Sequence, residues 1–183
     1  MTHNFAPISD ADWPEEIANM LPGFAGSLNV YRTMAHHPAL LKAWATLREH
    51  VVNQTTLGPL RSEVVILRSG ARLGSNYEWQ QHIIRARKAG LSDKRISQLN
   101  GALDLIEHDE DRLLAQTVDM LFDKHGLSAE VQEKLTVLIG QKGVVDLMAT
   151  VGFYSTLGFI LNSFDTPLDG DIALELTHNP LTA

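Results

Sequence analysis

The chain has 183 residues, 44% of them hydrophobic, with a formal net charge of −7 and no cysteine. This length suits a single domain with a sizeable core, and the apolar share argues against a disordered chain. Without a basic block the chain is not expected to bind nucleic acid, and without cysteine it has no disulfide, thiolate metal site or thiol nucleophile.

Residues 1–57 predict a series of N-terminal helices. The start, MTHNFAPISDADWPEE, has neither the basic nor the apolar segment of a secretory signal, so we expect a cytoplasmic protein. Asp12 is a candidate N-cap for the first helix, with Pro14 in its first turn. A second helix is predicted to end near Pro38, where a third begins.

Residues 58–168 predict the helical core. The apolar stripe from Leu60 to Ala71 is too long for a typical strand and indicates a helix. Three further helices are predicted to begin at residue types that cap helices, namely Ser75, Asp109 and Ser128. No strand pair or repeat is evident, so we predict one compact all-α domain, with residues 169–183 as a tail that frays at its end.

The most apolar segment, GVVDLMATVGFYSTLGFILNSF, covers residues 143–164 and is nearly long enough to span a bilayer. It contains Asp146 and Thr150, however, and it lacks basic residues on both flanks. We therefore predict a core helix, covered by the domain or by another subunit, and no membrane contact.

The segment GSNYEWQQH, residues 74–82, places Glu78 and His82 four residues apart on one helix face. Glu63 borders the apolar stripe of the preceding helix, where a buried carboxylate needs a partner. An acid facing an imidazole indicates a structural ion pair or a proton-transfer site. In a proton-transfer site the helix dipole stabilises charge on Glu78, His82 carries the proton, and either acid orients the ring.

Two other interpretations of these residues are open. Ser75 and Glu78 fit the capping-box pattern S-x-x-E, in which each side chain accepts a hydrogen bond from the other residue's backbone N–H. Glu63, Glu78 and His82 also suffice as three ligands of a metal with open positions. Bundle di-metal sites typically use Glu-x-x-His from two helices, so we expect no metal.

Four more residues are candidates for substrate binding. Arg32 and Arg68 are suited to anchoring a substrate carboxylate, although an arginine on a helix is by default a surface or interface charge. Tyr31 adjoins Arg32. Trp79 adjoins Glu78, where we expect it to pack against the core or to desolvate the site and raise the pKa of a neighbouring acid.

The stretch GPLRSEVVILRSGARLGSNYEWQQHIIRARKAGLS resembles the core of the carboxymuconolactone decarboxylase family, which includes the alkyl hydroperoxidase D proteins. The resemblance is strongest over residues 58–96 and extends more loosely over most of the chain. Glu63 matches the acid of the family motif, and His82 matches the His that ends Cys-x-x-Cys-x-x-x-His. Ser75 and Glu78 stand where peroxidase members have the two cysteines.

The resemblance implies a homo-oligomer of helical subunits with the alkyl hydroperoxidase D-like fold. It also implies that the chain is not a thiol peroxidase, because Ser and Glu form neither sulfenic acid nor a disulfide. What remains is cofactor-independent acid–base chemistry by His82, Glu78 and Glu63. Tyr77, which stands where peroxidase members often have His, would hydrogen-bond the developing oxyanion.

The reaction that the resemblance implies is decarboxylation or isomerisation of a small organic acid or lactone, in the catabolism of aromatic compounds. One alternative is a non-catalytic protein that binds a small ligand or a partner and has kept the fold. Another is a metal-dependent enzyme that uses Glu63, Glu78 and His82.

Overall fold

The computed structural model describes residues 5–182, and this part of the chain contains helices and no strands, which confirms the predicted all-α fold. Its nine α-helices are α1 Phe24–Ser27, α2 Asn29–Met34, α3 Pro38–Glu49, α4 Gly58–Leu73, α5 Asn76–Ala89, α6 Asp93–Gln98, α7 Asp109–Lys124, α8 Ala129–Ser163 and α9 Gly170–His178. Short 3₁₀ helices cover Glu15–Met20 and Leu103–Leu105, and a π-helical turn, His50–Gln54, follows α3.

One of the four predicted N-caps, Ser128, makes a capping hydrogen bond. The hydroxyl of Ser128 accepts from the backbone N–H of Val131, as predicted. Asp12 and Asp109 are not N-caps. Pro14 takes that position before the first 3₁₀ helix, and His108 caps α7 by accepting from a backbone N–H with its ring nitrogen.

Helix α4 lies at the centre of the fold, against α5, α7 and α8. Its adjacent residues Ile66 and Leu67 point into different hydrophobic clusters, because neighbours on a helix lie about 100° apart. Leu67 packs in the cluster built by α4 to α8, and Ile66 packs with Tyr31, Phe153 and other residues of the N-terminal segment and α8.

Helix α8 contains the predicted apolar core helix. It is long and apolar enough by composition to span a bilayer, and half of its most apolar window is buried inside the protein. Gly140 interrupts its regular geometry with a left-handed φ of 70°, a conformation that glycine adopts without strain. Val145 and Phe159 remain 65% and 61% exposed along its outer face.

Asp146 anchors α8 to the turn after α3. It accepts hydrogen bonds from His50 Nε2 and from both the backbone and the hydroxyl of Thr56, each at 2.7 Å. Burial by itself would raise the pKa of Asp146, but these hydrogen bonds outweigh burial and lower that pKa to about 2. The polar residue within the apolar segment is therefore a charged anchor between two helical segments.

The C-terminal segment is packed, which the sequence did not predict. Asp169 is buried, and α9 follows it against α5. Arg87 on α5 donates to the carbonyl of Asn179 at 2.8 Å, and the hydroxyl of Thr182 donates to Asp93 at 3.0 Å. These contacts hold residues 169–182 on the core; Ala183 lies outside the described residues.

Candidate active site

The turn between α4 and α5 brings Glu63 and His82 together. Helix α4 ends at Gly74, whose left-handed φ of 60° reverses the chain, and α5 starts two residues later. Glu63 Oε2 lies 2.6 Å from His82 Nδ1, and Glu78 Oε2 lies 3.4 Å from His82 Nε2. His82 is 2% exposed and Glu78 is 3% exposed, so the histidine forms a buried pair with one acid and a looser contact with the other.

The two acids favour the charged form of this histidine. Burial alone would lower the pKa of His82, but the charge and hydrogen bond of Glu63 and the hydrogen bond of Glu78 outweigh burial and raise that pKa. An imidazolium donates from both ring nitrogens, and here each nitrogen faces a carboxylate. The geometry therefore favours the protonated form of the His82 ring over the neutral form.

The predicted capping box does not form. Ser75 occupies the N-cap position of α5, but its hydroxyl is buried without a hydrogen-bond partner among residues 5–182. The backbone N–H of Ser75 donates to the carbonyl of Gly70, not to Glu78. Glu78 turns towards His82 instead, and its Oε1 atom is left buried and unpaired.

The arrangement does not fit a metal shared by Glu63, Glu78 and His82. The two carboxylates lie at opposite nitrogens of one ring, so the three groups do not converge on a common point. Elsewhere in residues 5–182, too, no three His, Asp or Glu side chains are grouped to hold a metal ion.

Tyr77 does not face the histidine as an oxyanion donor. Its hydroxyl donates to the buried carboxylate of Asp169, and burial together with this hydrogen bond raises the pKa of Tyr77. Asp169 also accepts from Gln81 Nε2 and from the backbone N–H of Asn29. Because a phenol has one proton, the hydrogen bond to Asp169 corrects the predicted role of Tyr77, which instead links α5 to the C-terminal segment.

Neither predicted carboxylate-binding arginine faces the site. Arg32 donates to Asp10 and to the carbonyl oxygens of Gly26 and Ile8. Arg68 is buried on the opposite side of α4, where it makes two hydrogen bonds to Asp119. Both guanidinium groups donate to acceptors within the protein. The helical spacing of the two arginines does not predict these acceptors.

The two predicted aromatic neighbours lie on different sides of α5. Tyr31 is buried beside His82, and burial raises the pKa of its phenol to about 12. Trp79 packs against the cluster of α4 to α8, away from His82. This confirms the expected packing of Trp79 against the core. Trp79 does not desolvate the acids or border His82, because consecutive helical residues point in different directions.

Three residues of the site were missed by sequence reasoning. Tyr154 of α8 contacts the His82 ring edge-on, with centroids 5.1 Å apart, and no local sequence signal links the two. Gln81 and Arg85 border the same small cavity, whose volume of about 20 Å³ admits roughly one water-sized group. Arg85 lies three residues after His82, a spacing that places both on one helix face.

The carboxymuconolactone decarboxylase family model matches residues 38–105, which include Glu63, Glu78 and His82. A search of curated protein sequences found no match. An uncharacterized peroxidase-related protein from Silicibacter sp. TM1040 has a similar structure, with a TM-score of 0.77 and 12% identity over 93% of each chain.

Two other solved structures share the fold. The debrominase Bmp8 has a TM-score of 0.73 at 13% identity, covering 95% of this chain and 96% of its own. A peroxidase-related protein with an alkylhydroperoxidase AhpD core, from Ralstonia eutropha JMP134, has a TM-score of 0.74 at 15% identity, covering 94% and 96%. Residues 38–105 thus match the carboxymuconolactone decarboxylase family model, within a chain that has the alkyl hydroperoxidase D-like fold.

Proposed function

We propose that this protein is a cofactor-independent acid–base enzyme that decarboxylates or isomerises a small organic acid or lactone. The observation that carries the proposal is the buried His82, held between Glu63 and Glu78 with a raised pKa. The family match supports the decarboxylase class. The sequence has no cysteine, so a thiol–disulfide cycle has no nucleophile here.

In a decarboxylation, the bond to the carboxyl carbon breaks and its electron pair forms an enolate, which must then be protonated. The Nε2–H of His82 suits this role because its contact with Glu78, at 3.4 Å, is loose enough to yield to a substrate atom. Glu63 retains the Nδ1–H at 2.6 Å. Proton transfer leaves a neutral ring with its remaining proton on Nδ1, and solvent restores the Nε2 proton.

Isomerisation uses His82 and Glu63 too, but His82 acts first as a base and then as an acid. A neutral His82 removes a proton from carbon through Nε2, and the resulting imidazolium returns it at another carbon of the enolate. Glu63 stabilises the imidazolium in both reactions. The substrate decides between them, since decarboxylation needs a carboxylate placed to leave as carbon dioxide.

A non-catalytic small-ligand-binding protein is the second candidate. The buried, unpaired oxygens beside His82 favour it, because a bound ligand would satisfy them. A cysteine-to-alanine variant of the debrominase Bmp8 was solved in complex with 2,3,4-tribromopyrrole, which supports a small-molecule site in a protein of this fold.

Incubation with candidate substrates in deuterated water separates the two candidates. We expect one member of a panel of carboxyl-labelled lactone acids and keto acids to release labelled carbon dioxide or to gain deuterium on the adjoining carbon. Nuclear magnetic resonance and mass spectrometry measure both products, and heat-denatured protein is the control. Binding of panel members without label loss or deuterium gain would favour the non-catalytic candidate.

We also propose that the protein is a homo-oligomer in which a second copy covers the outer face of α8. Val145, Met148 and Phe159 are exposed on one side of that helix, and an exposed apolar stripe is typical of an interface. Light scattering after size exclusion is expected to give a multiple of the 20.2 kDa chain mass. Phe159→Lys should reduce that mass, whereas a monomeric native protein would contradict the proposal.

A further inference from the structure

The guanidinium of Arg85 has no internal partner. Among residues 5–182 it makes no hydrogen bond or ion pair, although it borders the cavity beside Glu78 and His82. Its side chain is half-buried, and its nitrogens are not sealed from solvent. Arg32 and Arg68, by contrast, are occupied by internal carboxylates. Arg85 is therefore a cation at the boundary between the cavity and solvent, with its donors available.

Two acceptor atoms on the same side of α5 also lack partners. Glu78 Oε1 and Gln81 Oε1 are both fully buried and, within residues 5–182, unpaired, and both residues border the cavity with Arg85. A buried acceptor without a donor is costly, and native structures usually satisfy it with a protein group, a water or a ligand. A ligand can therefore accept hydrogen bonds from Arg85 and donate hydrogen bonds to the two buried oxygens deeper in the cavity.

The charges around the cavity permit an anion at Arg85. The negative charges of Glu63 and Glu78 are offset by Arg85 and by the imidazolium of His82, so the cluster has no net charge when His82 is protonated. Glu63 is directed to His82 at 2.6 Å, so Glu63 and Glu78 act on Arg85 through their charges but form no ion pair with it within residues 5–182. An incoming carboxylate gains charge-assisted hydrogen bonds with the guanidinium fork.

We propose that Arg85 binds the carboxylate of the substrate while Glu78 Oε1 and Gln81 Oε1 accept hydrogen bonds from a hydroxyl or amino group on the adjoining carbon. This inference rests on the proposed function for its view of the ligand as a substrate. The cavity of about 20 Å³ admits one such group and not a whole molecule. The rest of the ligand lies towards solvent, where Arg85 is. The substrate class is a small 2-hydroxy, enol or 2-amino carboxylic acid.

Equilibrium binding of three matched probes tests the inference. Lactate has both groups, propanoate lacks the hydroxyl, and lactamide lacks the charge. Calorimetry is expected to show that lactate binds at least about 10-fold more tightly than either of the others. Equal affinity for lactate and propanoate would overturn the hydroxyl site, and absence of saturable lactate binding would overturn the whole inference.

Charge-matched variants locate the carboxylate. Arg85→Gln is expected to weaken lactate and propanoate binding by about 10- to 100-fold and to leave lactamide binding unchanged. Lys88→Gln removes the same charge from the exposed side of α5 and is expected to change none of the three affinities. If Arg85→Gln and Lys88→Gln lost the same lactate affinity, the loss would come from net charge alone, and the role of Arg85 would be overturned. Arg85→Lys, which keeps the charge without the fork, should fall between the native protein and Arg85→Gln.

This experiment is independent of turnover. His82→Gln is expected to retain saturable lactate binding, weaker than native because the imidazolium no longer offsets Glu63 and Glu78. Binding is therefore measured in a variant that lacks the proton donor. If the native protein binds lactate through Arg85 but converts no panel member, the proposed enzyme function fails and the anion site stands. If turnover occurs and Arg85→Gln binds lactate as the native protein does, the anion site fails alone.

Discussion

Replacing His82 by Gln is expected to lower kcat on the identified substrate by about 10²- to 10⁴-fold, the usual contribution of a positioned general acid or base. Glutamine preserves hydrogen bonding and approximate size but carries no transferable proton. The comparison requires steady-state kinetics of the native protein and the variant, with thermal unfolding to verify the fold. His178→Gln, at the exposed C-terminal end of α9, is the matched control and should retain native kcat. Native turnover in His82→Gln would remove His82 from the mechanism.

The companion variant Glu63→Gln separates proton transfer from a packing role. Because the charge of Glu63 raises the pKa of His82, the neutral glutamine should lower that pKa. The acid form of His82 is present below its pKa, so decarboxylation should fall as pH rises through the raised value. In Glu63→Gln the same fall should occur at lower pH. A kinetic limb that stays in place while the imidazole resonances titrate at lower pH would show that His82 is not the acid.

The raised pKa of His82 also makes the stability of the folded protein depend on pH. A histidine whose folded pKa exceeds the unfolded value of about 6.5 stabilises the folded state fully below that unfolded value. The stabilisation is lost as pH rises through the folded pKa. Native protein should therefore lose some stability as pH rises above about 6.5 through the folded pKa of His82, and Glu63→Gln should flatten this dependence.

Replacing Arg68 by Ala is expected to lower the free energy of unfolding by about 3 kcal/mol, because the buried carboxylate of Asp119 loses two hydrogen bonds and keeps only its longer contact with Arg72, at 3.2 Å. Arg68 donates to both oxygens of Asp119, at 2.8 and 2.6 Å, and to the carbonyl oxygens of Leu99 and Gly101. The side chains of the pair are 8% and 12% exposed, so water cannot readily replace the lost contacts.

Urea denaturation measures this change, with Arg61→Ala as the control on the same helix. Arg61 pairs with Glu110, but both side chains are substantially exposed, so we expect a cost below about 1 kcal/mol. Turnover by folded Arg68→Ala should stay near the native value, because Arg68 lies away from His82. Equal stability losses in the two variants, or loss of turnover by folded Arg68→Ala, would contradict the structural role.

The pairing of Glu63 with His82 was predictable because local rules apply to both residues. Glu63 borders an apolar stripe, so it needed a partner, and a short turn between consecutive helices brings such residues together. The same local rules failed at Ser75 and Glu78. A capping box and a histidine contact compete for one carboxylate, and sequence spacing assigns no energy to either.

The substrate-binding residues were harder to predict because their partners are distant in sequence. Arg68 finds Asp119 on α7, and Tyr77 finds Asp169 after α8, so both side chains are occupied by groups that periodicity does not locate. Arg85 is available because no group within residues 5–182 makes a hydrogen bond or an ion pair with its guanidinium. The sequence spacing predicts that Arg85 shares a face of α5 with His82, but it does not predict that Arg85 lacks a partner.

The sequence by itself determined the helical class, the absence of thiol chemistry and the adjacency of an acid and a histidine. These follow from residue type and from spacing within one or two helices, which depend on local geometry. Only the tertiary structure decided which arginine is free, which tyrosine contacts the histidine and how the last residues pack. Those outcomes depend on long-range contacts among α4, α5, α7, α8 and the C-terminal segment, whose free energies arise only when the chain is folded.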